Sequence, residues 1–170
     1  MSKEEPKDLL IIGIGNSGRS DDGLGWLMLD ALKKQFDHVD FHYRYQLQIE
    51  DAELLSHYRT VIFVDATKEP LENGFFFRPC HPNNGLGLTS HMLEPETILW
   101  LENQLYETKP TTFVLGIEGK KWGLSLEPSE IGLSNLNRAI DFLVKNMNLI
   151  AANKPPFTSQ KSKTDENHMV

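Results

Sequence analysis

The chain is short of the residues that several common functions need. One cysteine, Cys80, stands alone in 170 residues, so an internal disulfide is excluded and a reducing compartment suits the protein. Basic residues are outnumbered: 17 Lys and Arg against 24 Asp and Glu give a net charge of -7. That balance argues against a general binder of nucleic acid or of acidic membranes, both of which need clustered cations. The first apolar run, Leu9 to Ile12, is too short to span a bilayer, and the lead-in MSKEEPKD lacks a signal-peptide layout. A cytoplasmic location is expected. There is no G-x-S-x-G elbow, no base placed convincingly beside Cys80, and no internal repeat.

What is present centres on LLIIGIGNSGRSDDGLGWLMLDALKK, residues 9 to 34. It reads as a buried strand, a glycine-rich turn, and two aspartates opening a helix. Leu24, Leu27, Met28, Ala31 and Leu32 recur at helical spacing and give that helix its core face. Further along, Val39–Tyr45 alternates like an edge strand, and Gln46–Tyr58 reads as a short helical stretch with Leu47, Leu54 and Leu55 facing inward. Val61–Val64 is a second apolar strand, ended by Asp65. Asn73-Gly74 is a turn before a strand at Phe75–Arg78, and residues 81–91 are an aperiodic surface loop. A helix over Pro95–Tyr106 uses Ile98, Leu101 and Leu105. Thr111–Ile117 is the last strand, and a helix over Ser129–Met147 faces inward through Leu133, Leu136, Ile140, Leu143 and Val144.

This order predicts an α/β three-layer sandwich: a mostly parallel twisted sheet of about five strands, helices on both faces, one strand antiparallel. Residues 1–150 form one domain, and 151–170 form a polar, disordered tail. The two most apolar strands should be central. If they are neighbours, Asp22 and Asp65 meet over one end of the sheet.

The glycines can be read in more than one way. Gly13, Gly15 and Gly18 satisfy G-x-G-x-x-G, but RSDDG intervenes before the helix and its aspartates would repel a pyrophosphate. Glycines there solve a backbone problem equally well, Asn16 can fix the turn, and an aspartate can serve only to favour the helix start. Asp65 is different, because a carboxylate ending an apolar strand is costly unless something positive compensates it. Arg19 and Lys68 are candidates. So is a divalent ion held by Asp22, Asp65 and His91, two carboxylates and an imidazole suited to nickel or zinc with positions left open. A pair of aspartates acting without metal is a third possibility.

The motifs GIGNSGRSDDGLG at 13–25, VIFVDAT at 61–67, TSH at 89–91, and VLGIEG with WGLSLEP within 114–128 resemble those of the hydrogenase maturation endopeptidases. The resemblance spans roughly residues 9–147. It implies an endopeptidase that removes the C-terminal extension of a nickel–iron hydrogenase large-subunit precursor. It also implies that Asp22, Asp65 and His91 are metal-binding and catalytic, with nickel supplied by the precursor itself. Some members of that family carry Glu where this chain has Asp22. Ser17 and Gly18 are smaller than the bulky pair common there, which bears on the shape of the substrate groove. Gln46 falls on a polar position of the family and is expected to line that groove. Two other expectations stand beside this one: a metal-independent peptidase using both aspartates, and a non-catalytic binder of the metallated precursor. No apolar stripe or exposed heptad calls for more than a monomer, and neither nucleic acid nor a membrane is expected as partner.

Overall fold

The computed structural model describes residues 3–85 and 92–153. Five strands form one sheet: β1 (Lys7–Ile14), β2 (Asp40–Arg44), β3 (Tyr58–Thr67), β4 (Phe75–Pro79) and β5 (Thr111–Glu118), in the order β2-β1-β3-β5-β4. All pairings are parallel except β4 against β5. The helices are α1 (Leu24–Lys33), α2 (Asp51–Leu55), α3 (Pro95–Leu105) and α4 (Glu130–Ala151).

Each face of the sheet has its own helix pair. On one face, Leu24, Met28, Leu29 and Leu32 of α1 and Leu136, Leu143, Met147 and Ile150 of α4 cover Leu9, Ile11, Ile62, Val64, Phe113 and Leu115. On the other, Ala52 and Leu55 of α2 with Ile98 and Leu99 of α3 cover Leu10, Ile12, Val61, Phe63 and Val114. Strands covered on both sides have no polar face to show, which is why β1, β3 and β5 read as unbroken apolar runs. β2 is half-buried along its whole length, as its alternating sequence predicts for an edge. The expected α/β sandwich is therefore present. No described helix is long and apolar enough to cross a membrane.

Three helix details differ from the sequence reading. Leu105 is 62% exposed and Leu133 40% exposed, so neither belongs to the core. The core stripe of α4 runs Leu136, Ala139, Leu143, Met147 and Ile150, at steps of three or four residues, and leaves Leu133 to one side. α4 also extends past Met147 to Ala151, because Ile150 is fully buried. Residue 151 thus belongs to the helix, and the rest of the expected tail, from 154 on, lies outside the described residues. Finally, the helix in residues 46–58 shortens to Asp51–Leu55, with Leu47 buried in the preceding loop.

β1 and β3 are neighbours, paired from Lys7↔Tyr58 to Gly13↔Val64. Their carboxyl ends therefore lie side by side, and Asp65 is the first β3 residue beyond that ladder. Open parallel sheets place ligand sites at this edge.

Candidate active site

The glycine-rich turn is shaped by close approach of backbones. Gly15 has φ +149°, and a Cβ there would fall 1.9 Å from the carbonyl oxygen of Asp22. Gly25 presses the start of α1 onto the strand ends, where a Cβ would meet the carbonyl oxygens of Val64 at 2.8 Å and Ile14 at 2.9 Å. Asn16 closes the turn, its Oδ1 accepting from the Gly18 amide at 2.9 Å. The glycines thus pack the turn against β1 and β3.

The two aspartates do not open α1 directly. They lie in a 3-10 turn, Ser20–Gly23, that precedes it. Ser20 enters the turn in the left-handed region at φ 55°, buried, with its hydroxyl donating to the Glu127 carbonyl at 2.8 Å. Such a conformation costs a non-glycine residue energy, and its surroundings hold it in place.

The turn sends Asp21 and Asp22 in different directions. Asp21 is fully buried. Its Oδ2 accepts from the Lys120 amide at 2.6 Å, the Lys121 amide at 2.9 Å and the Ser129 hydroxyl at 2.7 Å; its Oδ1 accepts from the Ser129 amide at 2.7 Å. Ser129 Oγ in turn accepts from the Gly132 amide and caps α4. Burial alone would raise this carboxyl, but the bonds from Ser129, Lys120 and Lys121 outweigh it and hold Asp21 below its ordinary value. Asp21 is a structural tie between the first turn and the loop before α4.

Asp22 faces a cleft of about 320 Å³ that it shares with Asp65, Ala66, Arg19, Lys68 and Trp122. Burial raises the Asp22 carboxyl, and the charges of Arg19 and Lys68 pull it back. Asp65 is pushed up to about 7, chiefly by burial, then by the charges of Asp22 and Glu94, against one bond from the Ala66 amide. Asp22 and Asp65 line one cleft, as neighbouring β1 and β3 predict. Lys68 Nζ lies over the Trp122 ring, 5.3 Å from its centroid.

Both carboxyls are raised by burial, a condition that a divalent cation relieves. Among the described residues no group of three or more His, Cys, Asp or Glu side chains could hold a metal. His91, the expected third ligand, lies outside the described residues. Glu94 was not singled out from the sequence, yet its charge reaches Asp65. Trp122 sat unremarked inside a quoted motif; a lone indole between charged and glycine residues carries no signal of its partners. Gln46 is exposed after β2 and is not among the residues lining the cleft. Cys80 is buried, and burial pushes its thiol up to about 12, which agrees with a packed cysteine and not a nucleophile.

No family model matches the sequence, and no curated protein matches it either. Solved structures do. The NiFe hydrogenase maturation protease HycI from Thermococcus kodakarensis superposes with a TM-score of 0.66 at 22% identity, over 85% of this chain and 95% of that one. A hydrogenase 2 maturation peptidase from a Thaumarchaeota archaeon gives 0.61 at 23%, over 84% and 99%. The hydrogenase maturating endopeptidase HybD from E. coli gives 0.60 at 15%, over 92% and 98%. With its sheet order, its helix pairs and its paired carboxylates on the page, this chain has the fold of the hydrogenase maturation proteases.

Proposed function

We propose that this protein is an endopeptidase of hydrogenase maturation, removing the C-terminal extension of a nickel–iron hydrogenase large-subunit precursor after nickel has been inserted. The observation that supports this most is the meeting of Asp22 and Asp65, both raised, in one cleft at the carboxyl edge of the sheet. The fold shared with proteins of that activity supports it from a separate direction. His91 completes the ligand set in this reading. It stands three residues before Glu94, a chain length of about 10 Å, and Glu94 already acts on Asp65.

In this reading nickel arrives on the precursor, and its part is to polarise the bond to be cut. The chain's own residues orient the substrate, and a cleft carboxylate accepts a proton from the attacking water. The protein acts in the cytoplasm as a monomer.

The test is direct. Nickel-loaded precursor mixed with the protein loses the mass of its C-terminal peptide, and Asp65→Asn and His91→Ala variants leave it intact while melting as folded proteins. An unchanged precursor mass with the native protein overturns the proposal; tight binding without cleavage would then identify a non-catalytic binder. One observation favours a second reading. Asp65, raised to about 7 chiefly by burial, lines the cleft with Asp22, and two carboxyls in one cleft can run hydrolysis without metal. Cleavage of metal-free precursor, indifferent to chelator, would select it.

A further inference from the structure

The cleft holds two cations that the ligand set does not use. Arg19 and Lys68 line the same wall as Asp22 and Asp65. Both act on Asp22 through charge, and among the described residues neither makes an ion pair within 4.0 Å. In a chain of net charge -7, two cations beside two carboxyls in one cleft give this end of the sheet both signs of charge.

Both residues are exposed, and each is positioned by a neighbour. The Arg19 backbone is bridged to Ser125, its amide donates to the Asn16 carbonyl at 3.1 Å, and its carbonyl accepts from the Asp22 amide at 3.2 Å. Lys68 sits over the Trp122 indole, 5.3 Å from its centroid, which gives its ammonium a resting place at the cleft.

We propose that Arg19 and Lys68 form a clamp for the oxyanion that develops on the carbonyl being cleaved, a deepening that rests on the peptidase reading above. The charge count favours this. Two carboxyls and two cations share the cleft in the free protein. A divalent ion arriving with the substrate engages carboxylate charge and frees the cations to face a site where negative charge is about to form. In the step, the water oxygen bonds to the carbonyl carbon and one water proton passes to a cleft carboxylate. The carbonyl π pair moves onto oxygen, where the N–H groups of Arg19 and Lys68 receive it. As C=O reforms, the C–N bond breaks and the proton goes to the departing amine. Donors at the position where charge develops act on the transition state more than on the bound substrate.

The experiment compares Arg19→Ala and Lys68→Ala with the native protein on nickel-loaded precursor. The clamp requires kcat to fall about 100-fold or more, with KM and the equilibrium Kd for the precursor within about threefold of native and the melting temperature unmoved. Guanidinium should restore part of the Arg19→Ala rate and methylammonium part of the Lys68→Ala rate, which a merely structural loss would not allow. Unchanged kcat in both variants overturns the clamp while leaving the peptidase reading standing. A fall that follows Kd or melting temperature, with no rescue, also overturns it. Inactivity of the native protein sinks the peptidase reading first, and the clamp with it.

Discussion

Asp21 and Asp22 are adjacent in sequence and opposite in circumstance. Asp21 lies at the buried seam between the 3-10 turn and the loop before α4, where four hydrogen bonds saturate it and hold its carboxyl low. Asp22 lies in the cleft with Asp65, where burial raises both and the compensating charges stop short of an ion pair. A carboxylate kept for the fold is given every donor it can use. A carboxylate kept for chemistry is left wanting, so that an incoming cation or proton finds it ready.

The sharpest way to break this contrast is to remove the saturated member. Asp21→Ala strands the Lys120, Lys121 and Ser129 amides, and is expected to destabilise the fold by about 3–5 kcal/mol in chemical denaturation. Its carboxyl is depressed in the folded state, so its contribution is present above its ordinary value of 3.8 and disappears as pH falls through the lower folded value. The gap between native and variant should therefore close below about pH 4, when denaturation is followed across pH. A gap that persists unchanged at pH 2.5 would mean the charge plays no part.

Next in size, and opposite in sign, is Asp65→Asn in the metal-free protein. Asp65 is raised from 3.8 to about 7, so between those values the folded state keeps a proton that the unfolded chain has released. Native stability falls as pH rises across that window, and the amide escapes the loss. The variant is expected to be more stable than native by on the order of 2 kcal/mol at pH 8, and equal to it near pH 3.5. A variant less stable at pH 8 would place Asp65 with Asp21 among the residues that hold the fold.

The smallest effect tests the link between the two regions. Ser129→Ala removes one donor from Asp21 and the cap of α4 but leaves the Ser129 amide in place. A loss of about 1–2 kcal/mol is expected, with no change in the processing of nickel-loaded precursor. Lost processing at unchanged stability would show that the seam reaches into the cleft chemistry.

Much of this was legible without coordinates, because the governing interactions are local or repetitive. Apolar runs at Leu9–Ile12 and Val61–Val64 required strands covered on both faces, and their adjacency brought Asp22 and Asp65 together as anticipated. Leu105 and Leu133 stand outside the core: Leu105 keeps the helical phase of Ile98 but is the last residue of α3, and Leu133 lies to one side of the α4 stripe, neither of which shows in sequence. Arg19 and Lys68 were foreseen as possible partners of Asp65; the structure gives them the same cleft, acting on Asp22.

By itself, then, the sequence determined the kind and order of the elements, the parallel core and the end of the sheet where carboxylates gather. Side-chain periodicity and glycine placement act over a few residues, and they suffice for that. Only the tertiary structure decided which of two adjacent aspartates would be structural. The donors that claim Asp21 come from Lys120, Lys121 and Ser129, about a hundred residues away, and no local pattern around residue 21 announces them.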